Sequence, residues 1–358
     1  MKKISAVVVF LAFVLICFNS CKQCNKSTQV VEVKKDSASN PKLDAINLEI
    51  KKDSLNSYLY YKRAQIYDAN NDYKSAATDM FIALTLDSLR PEFFLYTADL
   101  FKRNGEPKRG IALMDKAIAT DSLNTNYYVK AAELLYIDTT IKGNYRLAMN
   151  YLNAAIDQNP QNADIYFYKG NVYKSIGDTS KAISAFQTAT ELNPKFYNAF
   201  VQLGLLLEKR KDKNAEKYLD NAIKINDKPE DALYAKANLL KASALADVDA
   251  HKDKSAIEKF NSAIENFKKV IEINHRNTEA YMGVGFSYYQ MDSVLEAYTF
   301  YGLATKVDPA YAGAYFSQGL CAQDLGRKKE AQMLYQNCLN IDPSFKRASE
   351  HLKKLQAL

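Results

Sequence analysis

Five side chains with potential metal ligands follow the spacing of a calcium-binding loop. Positions 1, 3, 5, 7 and 12 of that loop are matched by Asp247, Asp249, His251, Asp253 and Glu258. The sixth position needs glycine for a sharp turn, but here it holds Lys252, and imidazole is a poor calcium ligand beside oxygen donors. We therefore interpret this stretch as a solvated acidic turn and expect the protein to need no metal or cofactor.

Motifs that support catalysis are absent from the sequence. The three histidines, His251, His275 and His351, form no His-Glu-x-x-His zinc motif and no pair at helical ligand spacing. There is also no phosphate-binding Gly-x-x-x-x-Gly-Lys-Ser/Thr loop and no Gly-x-Ser-x-Gly nucleophile elbow. The sequence therefore predicts a protein that is not an enzyme and has no catalytic residues.

A short motif repeats along the chain with a period of 34 residues. It reads Asp53-Ser54-Leu55, Asp87-Ser88-Leu89 and Asp121-Ser122-Leu123, and Asn-Pro or Asp-Pro pairs beginning at 159, 193, 308 and 342 continue it. A fixed period of this length is typical of solenoids, in which each helical hairpin buries its apolar face only by stacking on its neighbours. The period predicts an all-α chain with a long surface for partners.

Two columns of small residues count the repeats, because closely packed helices exclude larger side chains. In the first helix the column is Ala64, Ala98, Ala132, Gly170, Gly204, Ala237, Gly285 and Gly319. In the second helix it is Ala76, Gly110, Ala148, Ala182, Ala215, Ala263, Ala297 and Ala331. Aromatic residues surround these positions at helical spacing, as Tyr60 and Tyr67 do in the first unit. Together with the closing proline, this pattern resembles the tetratricopeptide repeat (TPR) family.

The resemblance implies an α-α superhelix, a TPR solenoid of about eight helical hairpins. The units are expected at 57–90, 91–124, 125–162, 163–196, 197–229, 230–277, 278–311 and 312–345. The third unit has extra residues near Ile137, which predict a longer turn. The sixth unit has an Ala-rich insertion from Lys241 to Ile257, which predicts lengthened helices. We expect a capping segment at 43–56 and a capping helix at 346–358.

In the resembled family the first helices of successive units line a concave groove, so the resemblance also implies a binding surface. Tyrosine combines a large contact area with a hydrogen-bonding hydroxyl, which suits the binding of peptides or partner proteins. The alternative is that a chain with 25 tyrosines exposes some of them by composition alone. The corresponding aromatic residues are Tyr58, Tyr61, Tyr96, Phe167, Tyr168, Tyr234, Phe286, Tyr289 and Phe316.

The N-terminal sequence predicts an exported lipoprotein. Lys2 and Lys3 precede an apolar run from Ala6 to Phe18, which fits a secretory signal and is shorter than a bilayer-spanning helix. The run ends at Phe18-Asn19-Ser20-Cys21, which resembles a bacterial lipobox. We expect a signal peptide at 1–20, a lipid anchor on Cys21 and a flexible tether at 21–42. Ordinary signal-peptidase cleavage and an uncleaved anchor are the alternatives.

Charge and composition narrow the partners that we expect. The net charge is +7, but basic and acidic residues alternate along most helices, which indicates solvated faces and no nucleic-acid partner. Lys22 after the anchor favours the outer membrane. We expect a scaffold or assembly factor of the bacterial cell envelope that binds envelope proteins or extended peptides. The alternative is a glycan-binding lipoprotein, although the chain has no tryptophan for sugar stacking.

Overall fold

The computed structural model describes residues 40–137 and 144–357, which contain eighteen α-helices and no β-strand. The predicted all-α solenoid is therefore confirmed. The helices are α1 (Pro41–Lys52), α2 (Ser57–Ala69), α3 (Tyr73–Leu86), α4 (Pro91–Arg103), α5 (Pro107–Thr120), α6 (Thr125–Ile137), α7 (Asn144–Gln158), α8 (Ala163–Ser175), α9 (Thr179–Leu192), α10 (Tyr197–Lys209), α11 (Ala215–Ile225), α12 (Glu230–Asp249), α13 (Asp253–Ile273), α14 (Thr278–Gln290), α15 (Val294–Val307), α16 (Ala312–Asp324), α17 (Lys328–Ile341) and α18 (Lys346–Ala357). The signal peptide, Cys21 and almost all of the tether lie outside the described residues, as does most of the longer turn predicted after Ile137.

Helices α2 to α17 form eight consecutive hairpins, each of which packs on the next. The small residues of the first helices are buried against the second helices. A Cβ atom added at Gly170 would lie 2.7 Å from the Phe186 ring, and one added at Gly319 would lie 2.7 Å from the Tyr335 ring. The space that a larger side chain would need is thus already filled by an aromatic ring, which is why these columns tolerate only small residues.

The sixth hairpin has the long helices that its insertion predicts. Helix α12 contains 20 residues and α13 contains 21, whereas the first helices of the other hairpins contain 13. The added length buries its own small core, in which Ala244 and Ala256 pack beside Phe260. The apolar contacts therefore continue to the tip of the hairpin.

The acidic stretch from Asp247 to Glu258 contains the turn between α12 and α13 and forms hydrogen bonds within the same hairpin. His251 lies between α12 and α13 with a positive φ of 54°, the left-handed conformation that also occurs in the turns at Asn71, Lys211 and Asp292. Asp247 accepts hydrogen bonds from Ser255 Oγ and Lys259 Nζ, each at 2.6 Å. Within residues 40–137 and 144–357 no three His, Cys, Asp or Glu side chains are grouped so that they could hold a metal ion.

A single helix covers each end of the stack. At the N-terminal end, Ile46 and Ile50 of α1 pack on Leu59 of α2. At the C-terminal end, Ala348 and Leu355 of α18 are buried in the core of the last hairpin. No helix in the described part of the chain is long and apolar enough to cross a membrane.

The two cysteines of the last hairpin, Cys321 and Cys338, are buried and unpaired. Burial raises the pKa of the Cys321 thiol to about 12 and that of the Cys338 thiol to about 11. Both thiols therefore stay protonated at neutral pH and serve as small apolar groups in the core.

Candidate functional site

The first helices of the fourth, fifth and sixth hairpins, α8, α10 and α12, form an open groove of about 560 Å³, which we call the central groove. Apolar side chains and carboxamides line it together with two carboxylates. The lining residues are Phe167, Asn198, Val201, Gln202, Leu205, Glu208, Asp231, Tyr234, Ala235 and Asn238. Two of the nine predicted site residues, Phe167 and Tyr234, belong to this set.

The aromatic residues of the central groove are held from below by the second helices. The Phe167 ring lies 5.3 Å from the ring of Tyr168 and 5.7 Å from that of Phe186, and the Tyr234 ring lies 5.8 Å from that of Phe267. Burial, assisted by the charge of Glu133, raises the pKa of Tyr168, so its hydroxyl remains a neutral hydrogen-bonding group. These contacts fix the rings and leave one side of Phe167 and Tyr234 facing the groove.

A second aromatic group lies at the N-terminal end and joins three other predicted residues. The Tyr61 ring centre is 5.6 Å from that of Tyr58 and 5.2 Å from that of Tyr96. The Tyr96 hydroxyl donates to Asp68 Oδ2 at 2.8 Å, and burial together with this bond raises the pKa of Tyr96. We call Tyr58, Tyr61 and Tyr96 the N-terminal aromatic cluster.

The remaining predicted residues lie in the last two hairpins and belong neither to the lining of the central groove nor to the N-terminal aromatic cluster. The Tyr289 hydroxyl donates a hydrogen bond to Asp324 Oδ2 at 2.8 Å. The ammonium group of Lys241 lies 5.6 Å from the centre of the Phe286 ring. Phe316 was predicted to line the groove, but this is wrong because the side chain is only 3% exposed. Its ring packs on Phe345, the residue before α18, and on His351 of α18, the helix that covers the last hairpin.

Two lysines beside the central groove have no carboxylate within salt-bridge distance in the described part of the chain. Lys174 Nζ donates to Gln202 Oε1 at 2.6 Å, and Lys241 Nζ donates to Asn238 Oδ1 at 2.8 Å. Burial lowers the pKa of both ammonium groups and raises the pKa of the Glu208 carboxyl group. Charged groups therefore border the groove without neutralising one another through direct contact.

Asn198 has a free carboxamide in the lining of the groove. Its side chain is exposed, and it makes no hydrogen bond to any described residue, whereas the Asn238 amide donates to the carbonyl oxygen of Tyr234 at 3.1 Å. A carboxamide both donates and accepts, as a peptide backbone does. The groove therefore offers polar partners for a backbone above an apolar floor.

A cluster of charges fills the same surface in the second and third hairpins, and the sequence reasoning missed it. Glu133 Oε1 accepts from Lys102 Nζ and Glu133 Oε2 accepts from Lys130 Nζ, each at 2.6 Å. Lys130 Nζ also donates to Asp99 Oδ1 at 3.0 Å. We call Asp99, Lys102, Lys130 and Glu133 the ionic cluster. Lys102 and Asp99 each pair with a residue 31 positions later, so a search for opposite charges on neighbouring first helices could have found them.

Comparisons with known proteins agree with the repeat architecture. Residues 163–196 and 312–345, which contain the hairpins α8/α9 and α16/α17, each match a family model described as tetratricopeptide repeat. The crystal structure of YrrB, a TPR protein with an unusual peptide-binding site, is similar over 56% of this chain and 97% of YrrB, with 21% identity and a TM-score of 0.46.

Two curated relatives match part of the chain. A probable UDP-N-acetylglucosamine–peptide N-acetylglucosaminyltransferase, SPINDLY of Hordeum vulgare, is 34% identical over 94 residues, which is 26% of this chain and 10% of the relative. DnaJ homolog subfamily C member 3 of Bos taurus is 22% identical over 213 residues, which is 59% of this chain and 42% of the relative. The chain therefore spans less than half of the length of either protein.

Proposed function

Because this chain is a tetratricopeptide repeat protein, we propose that it is a non-catalytic scaffold whose central groove binds extended segments of partner proteins. The observation that carries the proposal is the composition of the groove across α8, α10 and α12. Val201, Leu205 and Tyr234 supply an apolar floor, and Asn198 supplies a free carboxamide beside it. An extended segment can place apolar side chains on that floor while its backbone bonds to the carboxamide.

The repeat architecture favours a long partner segment over a small molecule. The central groove is open, and its walls come from three successive hairpins. The N-terminal aromatic cluster adds a second set of partly exposed rings on earlier first helices. A partner that contacts both regions gains affinity from two weak sites joined in one chain, which is the effect of multivalency.

We further propose that the scaffold is anchored in the outer membrane of a bacterial envelope through a lipid on Cys21, because Lys22 after the anchor favours that membrane. The support is the sequence of the N-terminus, where an apolar run ends at Phe18-Asn19-Ser20-Cys21. Two or more acyl chains on one cysteine provide stable attachment to a bilayer. The partners would then be other envelope proteins.

Asn198→Arg tests the groove because it places a long charged side chain among the lining residues. Asn126→Arg is the matched control, since Asn126 is an exposed asparagine at the same position of the third unit. Both variants should unfold at the same denaturant concentration as the wild type. Binding to an array of overlapping peptides from envelope proteins should fall only for Asn198→Arg.

Equal binding by the wild type and Asn198→Arg would overturn the groove assignment. If the wild type binds no peptide but binds glycans on a parallel array, the protein is a glycan-binding lipoprotein instead. The anchor is tested separately by fractionating cells that express Cys21→Ser. The variant should leave the membrane fraction, and equal membrane association of the variant and the wild type would contradict the lipid anchor.

A further inference from the structure

Three leucines in consecutive turns that precede the first, second and third hairpins are the most exposed large apolar side chains of the described residues. Leu55 and Leu89 are each 78% exposed and Leu123 is 74% exposed. They occupy the third position of the repeated Asp-Ser-Leu motif, so they recur once per repeat along one edge of the stack. We call these three residues the leucine edge.

The turns hold these leucines outward. The backbone N–H groups of Leu89 and Leu123 donate to Asp87 Oδ1 and Asp121 Oδ1, each at 3.2 Å. In the first and third of these turns, the carbonyl oxygen of the serine accepts a hydrogen bond from a tyrosine hydroxyl at 3.1 Å, which fixes the backbone further. These bonds fix the backbone of the turns, and in that backbone conformation the three leucine side chains are exposed.

The same turn forms with other residues farther along the chain. The corresponding N–H group donates to an Asn or Asp Oδ1 atom at distances of 2.9 to 3.1 Å in the six later turns. The side chains at that position are Gln161, Lys195, Lys228, Arg276, Ala310 and Ser344. Folding of the turn thus does not require leucine, and the large apolar side chains are confined to the three turns nearest the N-terminus.

The leucine edge lies in the turns before the first three hairpins, which follow the proposed lipid anchor, and this position indicates which partner covers it. We propose that Leu55, Leu89 and Leu123 insert into the surface of a lipid bilayer and lay the N-terminal hairpins against it. Leu55 follows directly after α1, the first described helix. If Cys21 is lipidated, the nineteen residues from 22 to 40 can span at most about 65 Å. Leu55 therefore lies near the anchor along the chain, and Leu89 and Leu123 follow in the next two turns between hairpins.

The surroundings of the first turn suit a lipid headgroup region. Lys51 and Lys52 at the end of α1 are exposed and precede Leu55 by four and three residues, so their ammonium groups can meet headgroup phosphates. The leucines can then reach the boundary with the acyl chains, as interfacial apolar residues do. The inference rests on the proposed lipid anchor at Cys21 and does not depend on ligand binding in the central groove.

The test attaches the chain to vesicles without relying on natural lipidation. Residues 22–358, which retain every described contact, are joined through an N-terminal histidine tag to nickel-chelating lipids in phosphatidylcholine vesicles. Cys24→Ser removes the remaining cysteine of this segment other than Cys321 and Cys338, which are buried. A fluorophore is then placed at Ser88→Cys, which leaves Leu89 intact, or at Ala310→Cys in the corresponding turn of a later unit.

Lipids with brominated acyl chains should quench the fluorophore at position 88 several-fold more than the fluorophore at position 310. Replacing all three leucines by serine should abolish that difference without changing the unfolding midpoint, because the side chains are exposed. The matched control replaces Leu48, Leu295 and Met333, which are also exposed but lie on helices, by serine and should leave the quenching unchanged.

Equal quenching at positions 88 and 310 would overturn the inference, as would quenching that survives the triple leucine substitution. Shielding of position 88 that requires a second copy of the chain or an added envelope protein would assign the leucine edge to a protein contact instead. Peptide binding in the central groove is measured on the same variants, so a failure of the leucine edge is distinguished from a failure of the groove. The chelating lipid keeps both results separate from the test of Cys21.

Discussion

The first helices carry charged groups both in the ionic cluster and beside the central groove, but the two regions use them differently. In the ionic cluster, Glu133 accepts bonds from two lysines, and Lys130 reaches a second carboxylate. Beside the central groove, Lys174 and Lys241 have only carboxamide oxygens as hydrogen-bond partners among the described residues. The difference indicates that the charges of the ionic cluster are paired with one another, whereas the polar groups of the central groove remain available to bind a ligand.

The energetic consequence follows from burial. Glu133 is only 7% exposed, and its carboxylate is compensated by ammonium groups from α4 and α6. Removing one member of such a buried group leaves the remaining charges without partners, which costs more than the pairing itself contributes. The ionic cluster therefore acts on stability, whereas changes in the central groove should act on binding.

The largest effect should come from Glu133→Gln. The substitution keeps the size of the side chain but leaves Lys102 and Lys130 without their shared carboxylate, so we expect a loss of about 3 kcal/mol in the free energy of unfolding. Urea unfolding followed by circular dichroism measures this loss. Glu191→Gln is the control, because Glu191 is exposed and should change stability little. Equal midpoints for the two variants would show that the ionic cluster does not stabilise the fold.

Tyr234→Ala should have the next largest effect, and it should act on binding. Tyr234 lines the central groove, and its ring is held in place by contact with the ring of Phe267. Replacing it by alanine therefore removes an aromatic side chain that is already positioned for a ligand. We expect the affinity for a groove-binding peptide to fall about tenfold or more, as for other aromatic anchors. Calorimetric titration measures the change. Tyr145→Ala, which removes an exposed tyrosine from a second helix, should bind as the wild type does.

The hairpins could be predicted from the sequence because their packing requires a small residue at fixed positions of each unit. Only Ala or Gly fits where a first helix meets a second, as at Gly170 against Phe186, so the columns of small residues reveal the repeat directly. The ionic cluster has no such signature. Lys102 and Glu133 are 31 residues apart, and whether they pair depends on side-chain directions that alternating charges do not specify.

The error at Phe316 has a related cause. The repeat pattern assigns each position the environment that it has in the middle of a stack, but the last hairpin has a different neighbour. Helix α18 and the residue before it pack on Phe316 and bury the ring. A pattern carried from one repeat to the next therefore predicts the helix correctly and the exposure incorrectly at the end of the solenoid.

Acid should reduce the difference between the wild type and Glu133→Gln. Burial opposes ionisation of Glu133, but the bonds from Lys102 and Lys130 outweigh it and hold its pKa below the usual range. A carboxyl group with a lowered folded-state pKa contributes stability above its unfolded pKa, and this contribution is lost as the pH falls through the folded pKa. Unfolding midpoints measured from pH 7 to below the unfolded pKa of glutamate should draw closer together for the two proteins. A constant difference over that range would contradict the ionic role of Glu133.

The smallest effect, with the opposite sign, should come from Glu208→Gln in the central groove. Burial raises the pKa of Glu208 despite the nearby charges of Lys209 and Lys241, and no salt bridge to it occurs in the described part of the chain. A carboxyl group with a raised folded-state pKa opposes folding once the pH exceeds its unfolded pKa, and glutamine removes that penalty. Glu208→Gln should therefore be slightly more stable than the wild type at pH 7 and equally stable at about pH 4. Urea midpoints at the two pH values measure this. If Glu208→Gln instead lost stability at pH 7 as Glu133→Gln does, the groove would be held by its own charges, and the contrast between a satisfied surface and an available one would disappear.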